Sequence, residues 1–218
     1  MSRLRFERAL ERPGLDPRTR FLVSAVVTTV LGRREELEEV LRRASRARVD
    51  SEEIREAILQ THLFAGFPRA IEALETLEEA RATGAFPESA PRAEGERAGA
   101  RERGEAFFER VYAERSAAVR ERLAHLHPDL ERWVVEHAYG RVLGRDGLDA
   151  SLRELLAAAA LLALREWRPL ASHLRGAIRL GATRGEVRET LLQAGAHLPA
   201  EPLDRATRML DRVAEPPR

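Results

Sequence analysis

Apolar residues recur along most of this chain at the three- and four-residue spacing of amphipathic helices. Two segments, residues 21–31 and 155–164, are apolar almost throughout, which predicts two helices that are buried on most sides. Asp16 followed by Pro17 predicts the start of the first, because Asp caps helices well and Pro fits the first helical position. Ala, Leu, Glu and Arg dominate the composition, and residues typical of strands are few. We therefore expect an all-α protein.

One stretch interrupts the helical pattern. Residues 84–104 mix Pro, Gly, Ala and charged residues without an apolar period, which is typical of a linker. The chain therefore divides into a first unit, residues 1–83, and a second unit, residues 105–218.

The two units also resemble each other. When the chain is offset by 133 residues, about a third of positions 13–60 are identical to their counterparts without a gap. A long internal match in one register is the signature of a duplicated helical unit. The identical pairs include Arg20 and Arg153, Glu56 and Glu189, and Gln60 and Gln193.

Charge, cysteine content and hydropathy exclude several functions. The 37 basic and 36 acidic residues leave a net charge of +1, whereas a nucleic-acid-binding protein would carry a basic excess. The chain has no cysteine, which excludes disulfides, thiolate metal sites and thiol peroxidase chemistry. The N-terminal residues are charged where a signal peptide would be apolar, and no apolar run reaches the roughly 20 residues of a membrane span. We expect a cytoplasmic protein with no cofactor, no metal, and no membrane or nucleic-acid partner.

Several motifs in order resemble one known family. The second unit contains GRDGLDASLREL at residues 144–155 and SHLRGAIRLGATRGEVRETLLQAG at residues 172–195, and the first contains ILQTHLFAGFPRAIEAL at residues 58–74. Both units are similar to the carboxymuconolactone decarboxylase family, which shares the all-helical fold of the alkylhydroperoxidase AhpD. The resemblance implies a tandem, AhpD-like helical fold in one chain.

The resemblance also implies which residues act. The family's functional Glu and His correspond to Glu154 and His173. The two cysteines of its peroxidase branch fall on Glu166 and Pro169, so thiol peroxidase activity is not expected. In the first unit the aligned positions hold Phe21 and Val40, which makes that unit a degenerate copy kept for packing.

A carboxylate beside an imidazole can move protons near neutral pH. We assign proton donation to His173, with Glu154 to orient it, in a decarboxylation of a small carboxylated lactone. Arg145 or Arg175 would bind the substrate carboxylate, since a guanidinium matches a carboxylate with two hydrogen bonds. Trp167 and His197 would line the same pocket, and His197 aligns with Phe64 in the repeat.

Structural interpretations stand beside these assignments. A lone His in an apolar helix often serves packing, and an acid early in a helix favours the helix dipole. On a simple antiparallel hairpin Glu154 would lie about 20 Å from the turn and His173 about 7 Å, so they would meet only if the helices crossed steeply or another chain intervened. His125 and His127 resemble a metal pair without a third ligand, and a solvated loop is the favoured interpretation.

Two functions follow from these observations. The first is a carboxymuconolactone decarboxylase-like lyase acting by proton transfer on a small acid. The alternative is a non-catalytic oligomeric scaffold or small-ligand-binding protein that kept the fold. A homo-oligomer, dimer or trimer, is expected because the two apolar helices present more apolar surface than two helix pairs can cover.

Overall fold

The structure, a computed structural model, describes residues 3–86 and 99–213, and this part of the chain contains helices and no strand. It confirms the predicted all-α class. The first unit contains α1 (Arg3–Leu10), α2 (Pro17–Val30), α3 (Arg34–Arg46), α4 (Ser51–Gln60) and α5 (His62–Ala82). The second contains α6 (Ala100–Tyr112), a 3₁₀ turn (Ala113–Arg115), α7 (Ser116–Leu126), α8 (Pro128–Trp133), a π-helical segment (Val134–Leu143), α9 (Ala150–Ala163), α10 (Trp167–Arg179), α11 (Arg184–Gly195) and α12 (Ala200–Val213).

The two apolar helices form the centre of the molecule. Asp16 caps α2 as predicted, because its carboxylate accepts a hydrogen bond from the Thr19 backbone N–H at 2.9 Å. α2 packs against α9, and nearly every residue of both is buried in one core that draws on both units. Each of these helices covers the other within one chain, so their apolar surface by itself gives no reason for a second chain.

The two units exchange buried polar groups. Arg20 Nη2 lies 3.0 Å from Glu189 Oε2, and Arg153 Nη2 lies 2.9 Å from Glu56 Oε2. These two contacts are equivalent under the 133-residue offset, so each unit supplies the acid that pairs with the buried arginine of the other. The glutamines follow the same exchange between the units. Arg20 Nη1 lies 3.4 Å from Gln193 Oε1, and at the equivalent positions Arg153 Nη1 lies 3.4 Å from Gln60 Oε1. The duplicated sequence thus folds as two interlocked halves.

The predicted linker is shorter than its composition indicates. α6 begins at Ala100, so the last five residues of the predicted 84–104 stretch are helical, and residues 87–98 lie outside the described residues. Gly104 packs so closely on the Val135 carbonyl that a Cβ there would clash, and Gly140 does the same on the Ala100 carbonyl. These glycines allow α6 and the π-helical segment to approach each other closely, rather than adding flexibility.

The π-helical segment is the irregular part of the second unit. The Gly144 N–H donates to the Tyr139 carbonyl at 2.7 Å, five residues back, where an α-helix would bond four residues back. Such segments occur often at functional sites because the extra residue changes the direction of side chains. Separately, none of the helices in the described part of the chain is long and apolar enough to cross a membrane.

Candidate functional site

Glu154 and His173 form a buried pair within one chain. His173 Nδ1 lies 2.9 Å from Glu154 Oε2, at the place where α9 packs against α10. Glu154 is completely buried and His173 is 8% exposed. The hairpin geometry that would have kept the two side chains apart is therefore not the geometry of these helices, and no second chain is needed to bring them together.

The Glu154 carboxylate has one oxygen in use and one without a partner. Oε2 faces His173, whereas Oε1 is buried with no hydrogen-bond partner among the described residues. A buried carboxylate oxygen without a hydrogen bond lowers the stability of the fold. Such an oxygen is therefore expected where a ligand supplies the missing hydrogen bond. A carboxylate placed only to favour the helix dipole would be exposed, and Glu154 is not.

The π-helical segment and the end of α6 add two tyrosines that the sequence analysis did not select. Tyr139 Oη donates a hydrogen bond to Tyr112 Oη at 3.1 Å. Burial raises the pKa of Tyr112, and the negative charge of Glu154 raises it further. Burial also raises the pKa of Tyr139 well above its usual value, with added contributions from Tyr112 and Glu154. Both phenols therefore stay protonated in the field of the Glu154 carboxylate.

Phe64 and Gly176 complete the surroundings of the pair. The Phe64 ring, from the first unit, meets the His173 ring edge-on with centroids 5.9 Å apart. Gly176 faces Glu154 so closely that a Cβ would clash with Oε2, and the same point lies 3.0 Å from Val111 Cγ1. A Gly within an otherwise regular helix was the feature of the sequence that could have identified Gly176. For Tyr112 and Tyr139, the corresponding feature was that the sequence contains only two tyrosines.

Two predicted substrate-binding residues are engaged elsewhere. Arg145 Nη2 forms an ion pair with Glu56 Oε1 at 3.3 Å, so it belongs to the exchanged polar core. Trp167 lies under the Arg205 guanidinium, which is 4.2 Å from its ring centroid. The structure gives neither residue a hydrogen bond or ring contact with Glu154 or His173 in the described part of the chain. Their place in the substrate pocket stays a prediction.

Arg175 keeps its capacity to bind an anion. It lies two residues after His173 on α10, and its Nη1 donates a hydrogen bond to the Ala171 carbonyl at 3.3 Å. Burial lowers the pKa of Arg175, and the positive charges of Arg115 and Arg179 lower it further. Within residues 3–86 and 99–213 it has no carboxylate partner, which would suit a guanidinium that binds a substrate anion.

His197, from the second unit, contacts residues of the first unit. Its Nδ1 is 3.4 Å from Glu36 Oε2, and its ring centroid is 5.3 Å from that of Phe6. The hydrogen bond with His197 is the main reason that the pKa of Glu36 falls to about 2, while burial lowers the pKa of His197. His197 aligns with Phe64 in the repeat, and its side-chain contacts in the described part of the chain are with Glu36 and Phe6 of the first unit. Its place in the substrate pocket stays a prediction.

The remaining histidines form no larger cluster. Among the described residues no group of three or more His, Asp or Glu side chains could hold a metal ion. His127 is exposed, and its Nδ1 accepts a hydrogen bond from the Asp129 N–H at 3.1 Å. His137 Nε2 lies 2.9 Å from His62 Nε2.

The chain is an interlocked helical duplication without cysteine, and it holds a carboxylate–imidazole pair at the position that the family resemblance implies. These features define a class of AhpD-like helical proteins. A model of the carboxymuconolactone decarboxylase family matches residues 1–79 and 128–210. The chain belongs to this family. Glu154 and His173 lie within the second matched region, whereas Tyr112 lies between the two.

Three characterised relatives are similar to this chain over different lengths. The chain is 27% identical to peroxisomal protein 2 of Schizosaccharomyces pombe over 176 residues, which is 79% of this chain and 82% of that protein. It is 39% identical to nitrosuccinic acid decarboxylase npaB of Metarhizium robertsii over 64 residues, 29% of this chain and 45% of that one. It is 38% identical to 4-carboxymuconolactone decarboxylase of Acinetobacter baylyi over 79 residues, 36% of this chain and 59% of that one. The two decarboxylases are thus matched over about half of their lengths.

Proposed function

We propose that this protein is a lyase that decarboxylates a small organic acid, with Glu154 and His173 as its proton-transfer pair. The observation that carries the proposal is the contact between the buried Glu154 carboxylate and His173 Nδ1 at 2.9 Å. Membership of the family supports it, as do two relatives named as decarboxylases. The acids in those two names share a carboxylate close to an electron-accepting group, a carbonyl or a nitro group. We propose an acid of that class as the substrate.

The pair can carry out the proton step of such a reaction. When the bond to the carboxylate breaks, carbon dioxide leaves and the electron pair passes into the neighbouring carbonyl or nitro group. The imidazolium of His173 then gives its Nε2 proton to carbon: the carbon that lost the carboxylate or, where a C=C bond lies between the carboxylate and the carbonyl, the carbon next to the carbonyl. The Nδ1–H group stays hydrogen-bonded to the Glu154 carboxylate. This hydrogen bond orients the imidazole ring and stabilises its charged form. A second anionic group on the substrate would bind Arg175, whose guanidinium has no carboxylate partner among the described residues.

The alternative is a non-catalytic scaffold or small-ligand-binding protein. The observation that favours it is the first unit, where Phe21 and Val40 occupy the positions aligned with Glu154 and His173. Both of those side chains are buried, which is the behaviour of packing residues. Because the first unit has lost the pair, the second unit's pair alone does not decide between a decarboxylase and a non-catalytic protein. A measurement of activity separates the two functions.

The test is release of carbon dioxide from nitrosuccinate and from 4-carboxymuconolactone by the purified chain. His173→Gln should lower kcat by about 10²- to 10⁴-fold, the usual contribution of a positioned acid. His125→Gln is the matched control, because His125 is exposed and outside the site. A His173→Gln variant as fast as the unmodified protein would end the proposal. Failure of the unmodified protein to release carbon dioxide from either acid would favour the non-catalytic alternative.

We also propose that the protein self-associates, as a dimer or trimer, and that it is cytoplasmic. Support for association comes from large apolar side chains that remain exposed, namely Phe67 at 61%, Ile71 at 53%, Leu126 at 62% and Trp133 at 59%. Light scattering after size exclusion should give a multiple of 24.5 kDa, and a monomer would contradict it. The compartment requires imaging of the tagged protein in its own cell, since one relative is named peroxisomal.

A further inference from the structure

The last turn of α6 lies close to the Glu154–His173 pair, and it ends in a residue with a phenol. Val111 Cγ1 and Glu154 Oε2 both approach the same point over Gly176, so the last turn of α6 lies against the buried carboxylate. Tyr112 is the last residue of that turn. It belongs to the stretch between residues 79 and 128, which the family model does not match. This phenol is therefore supplied by a part of the chain outside the family's shared sequence.

The Tyr112 hydroxyl is held in place and has a hydrogen to donate. It accepts a hydrogen bond from Tyr139 Oη at 3.1 Å, and it has no other hydrogen bond within the described residues. Tyr139 is 4% exposed, and its ring meets that of Phe108 edge-on at 4.8 Å. The Tyr112 ring packs on Phe108 with centroids 4.3 Å apart. These contacts fix both phenols, while Tyr112 itself remains partly exposed.

The electrostatics favour donation rather than ionisation. Burial and the charge of Glu154 raise the pKa of each phenol, so both keep their protons near neutral pH. A protonated phenol that accepts one hydrogen bond donates its own more strongly, because a chain of hydrogen bonds polarises its members. Tyr112 is thus suited to stabilise negative charge that develops on an oxygen during a reaction.

We propose that Tyr112 donates a hydrogen bond to the oxyanion that forms as carbon dioxide leaves the substrate, and that Tyr139 positions it. The inference rests on the proposed function, because it requires decarboxylation at the Glu154–His173 pair. The bond to the carboxylate breaks, and its electron pair forms an enolate or nitronate whose oxygen accepts the Tyr112 hydrogen bond. No proton leaves Tyr112, since His173 supplies the proton to carbon. Tyr112 therefore selects acids with a carbonyl or nitro oxygen next to the departing carboxylate.

The test uses the nitronate of 3-nitropropionate, a stable oxyanion of the proposed kind, and succinate, a dicarboxylate without that oxyanion. Calorimetric titration should show that the unmodified protein prefers the nitronate. Tyr112→Phe should weaken nitronate binding by about 10- to 100-fold, the usual effect of a hydrogen bond to a charged group, and leave succinate binding unchanged. Retained succinate binding also reports that the variant is folded. Trp133→Phe, an exposed aromatic residue, is the matched control and should change neither affinity.

Tyr139→Phe separates positioning from folding. It should lower the affinity for the nitronate less than Tyr112→Phe does, and lower kcat without raising KM, because Tyr139 acts through Tyr112. A protein with no preference for the nitronate, or a Tyr112→Phe variant that loses both ligands equally or neither, would overturn the proposal.

Failure here is distinguishable from failure of the proposed function. If His173→Gln abolishes release of carbon dioxide and Tyr112→Phe keeps the nitronate preference, only the tyrosine inference fails. If His173→Gln releases carbon dioxide at the unmodified rate, the proposed function fails whatever the tyrosine variants do.

Discussion

Arg153 and Glu56 are 97 residues apart in the chain, and their side chains form a buried ion pair with Nη2 2.9 Å from Oε2. The equivalent pair, Arg20 with Glu189, has a separation of 3.0 Å. The arginine of each pair comes from one unit and the acid from the other. The two units therefore cannot separate without leaving two buried guanidiniums and two acids without their main partners.

Breaking one of these pairs should destabilise the whole fold. Arg153→Met leaves the buried Glu56 carboxylate with Arg145 alone, and removing one partner of a buried ion pair costs about 3–5 kcal/mol. The free energy of unfolding, measured by urea denaturation, should fall by that amount. The double variant Arg153→Met, Glu56→Gln should lose less than the sum of the single losses, since the buried Glu56 carboxylate is no longer left charged without Arg153.

The control for that prediction is an exposed ion pair. Arg34 is exposed and forms ion pairs with Glu38 and Glu79, so Arg34→Met should lower the unfolding free energy much less than Arg153→Met does. An equal effect at Arg34 and Arg153 would show that the exchanged pairs have no special part in the fold.

Gly176 should tolerate no side chain. A Cβ at this position would clash with Glu154 Oε2 and crowd Val111, so Gly176→Ala should displace the carboxylate from His173. We expect a destabilisation of about 1–3 kcal/mol, as for other overpacked sites, together with a larger loss of any decarboxylase activity. Gly185→Ala is the matched control, because the nearest side-chain atom to its Cβ would be Thr183 Oγ1 at 3.7 Å. Equal activity in the two variants would contradict the geometry of the site.

Acid stability should depend on Glu36. The hydrogen bond with His197 is the main cause that lowers its pKa from 4.5 to about 2 in the folded protein. A carboxyl group with a lowered folded-state pKa stabilises the fold above its unfolded pKa, and the stabilisation is lost as the pH falls through the folded value. The unfolding free energy should therefore drop between about pH 4.5 and pH 2.

Glu36→Gln tests this dependence because it removes the titrating group. The variant should be less stable than the unmodified protein above pH 4.5, and the difference should shrink as the pH approaches 2. Glu121→Gln, at an exposed position, should leave the pH profile unchanged. If the unfolding free energies of Glu36→Gln and the unmodified protein changed in parallel with pH, the Glu36–His197 hydrogen bond would be ruled out as the cause of the pH dependence.

The helices were predictable because their signals are local. Asp16 and Pro17 mark the start of α2, and the structure begins that helix at Pro17 with the Asp16 carboxylate as its cap. The apolar runs likewise predicted burial of α2 and α9. What covers them was not predictable from either run alone, because the partner of each helix is its own duplicate.

The site was predictable only in part. The resemblance selected Glu154 and His173, and the structure brings them together, although the spacing of the two residues gave no reason for contact. The contact of His197 with Glu36 was not predictable, because the offset aligns sequences and says nothing about which half a side chain contacts. Tyr112 was missed because its role depends on the close approach of α6 to the π-helical segment through Gly104 and Gly140.

The central claim is that Glu154 and His173 act as one unit in proton transfer, and a double-mutant cycle on kcat/KM for release of carbon dioxide tests it most directly. We predict that Glu154→Gln and His173→Gln each lower kcat/KM, and that the double variant is no slower than the slower single variant, as for residues that act together. Losses that multiply, or a single variant with unchanged kcat/KM, would contradict the account.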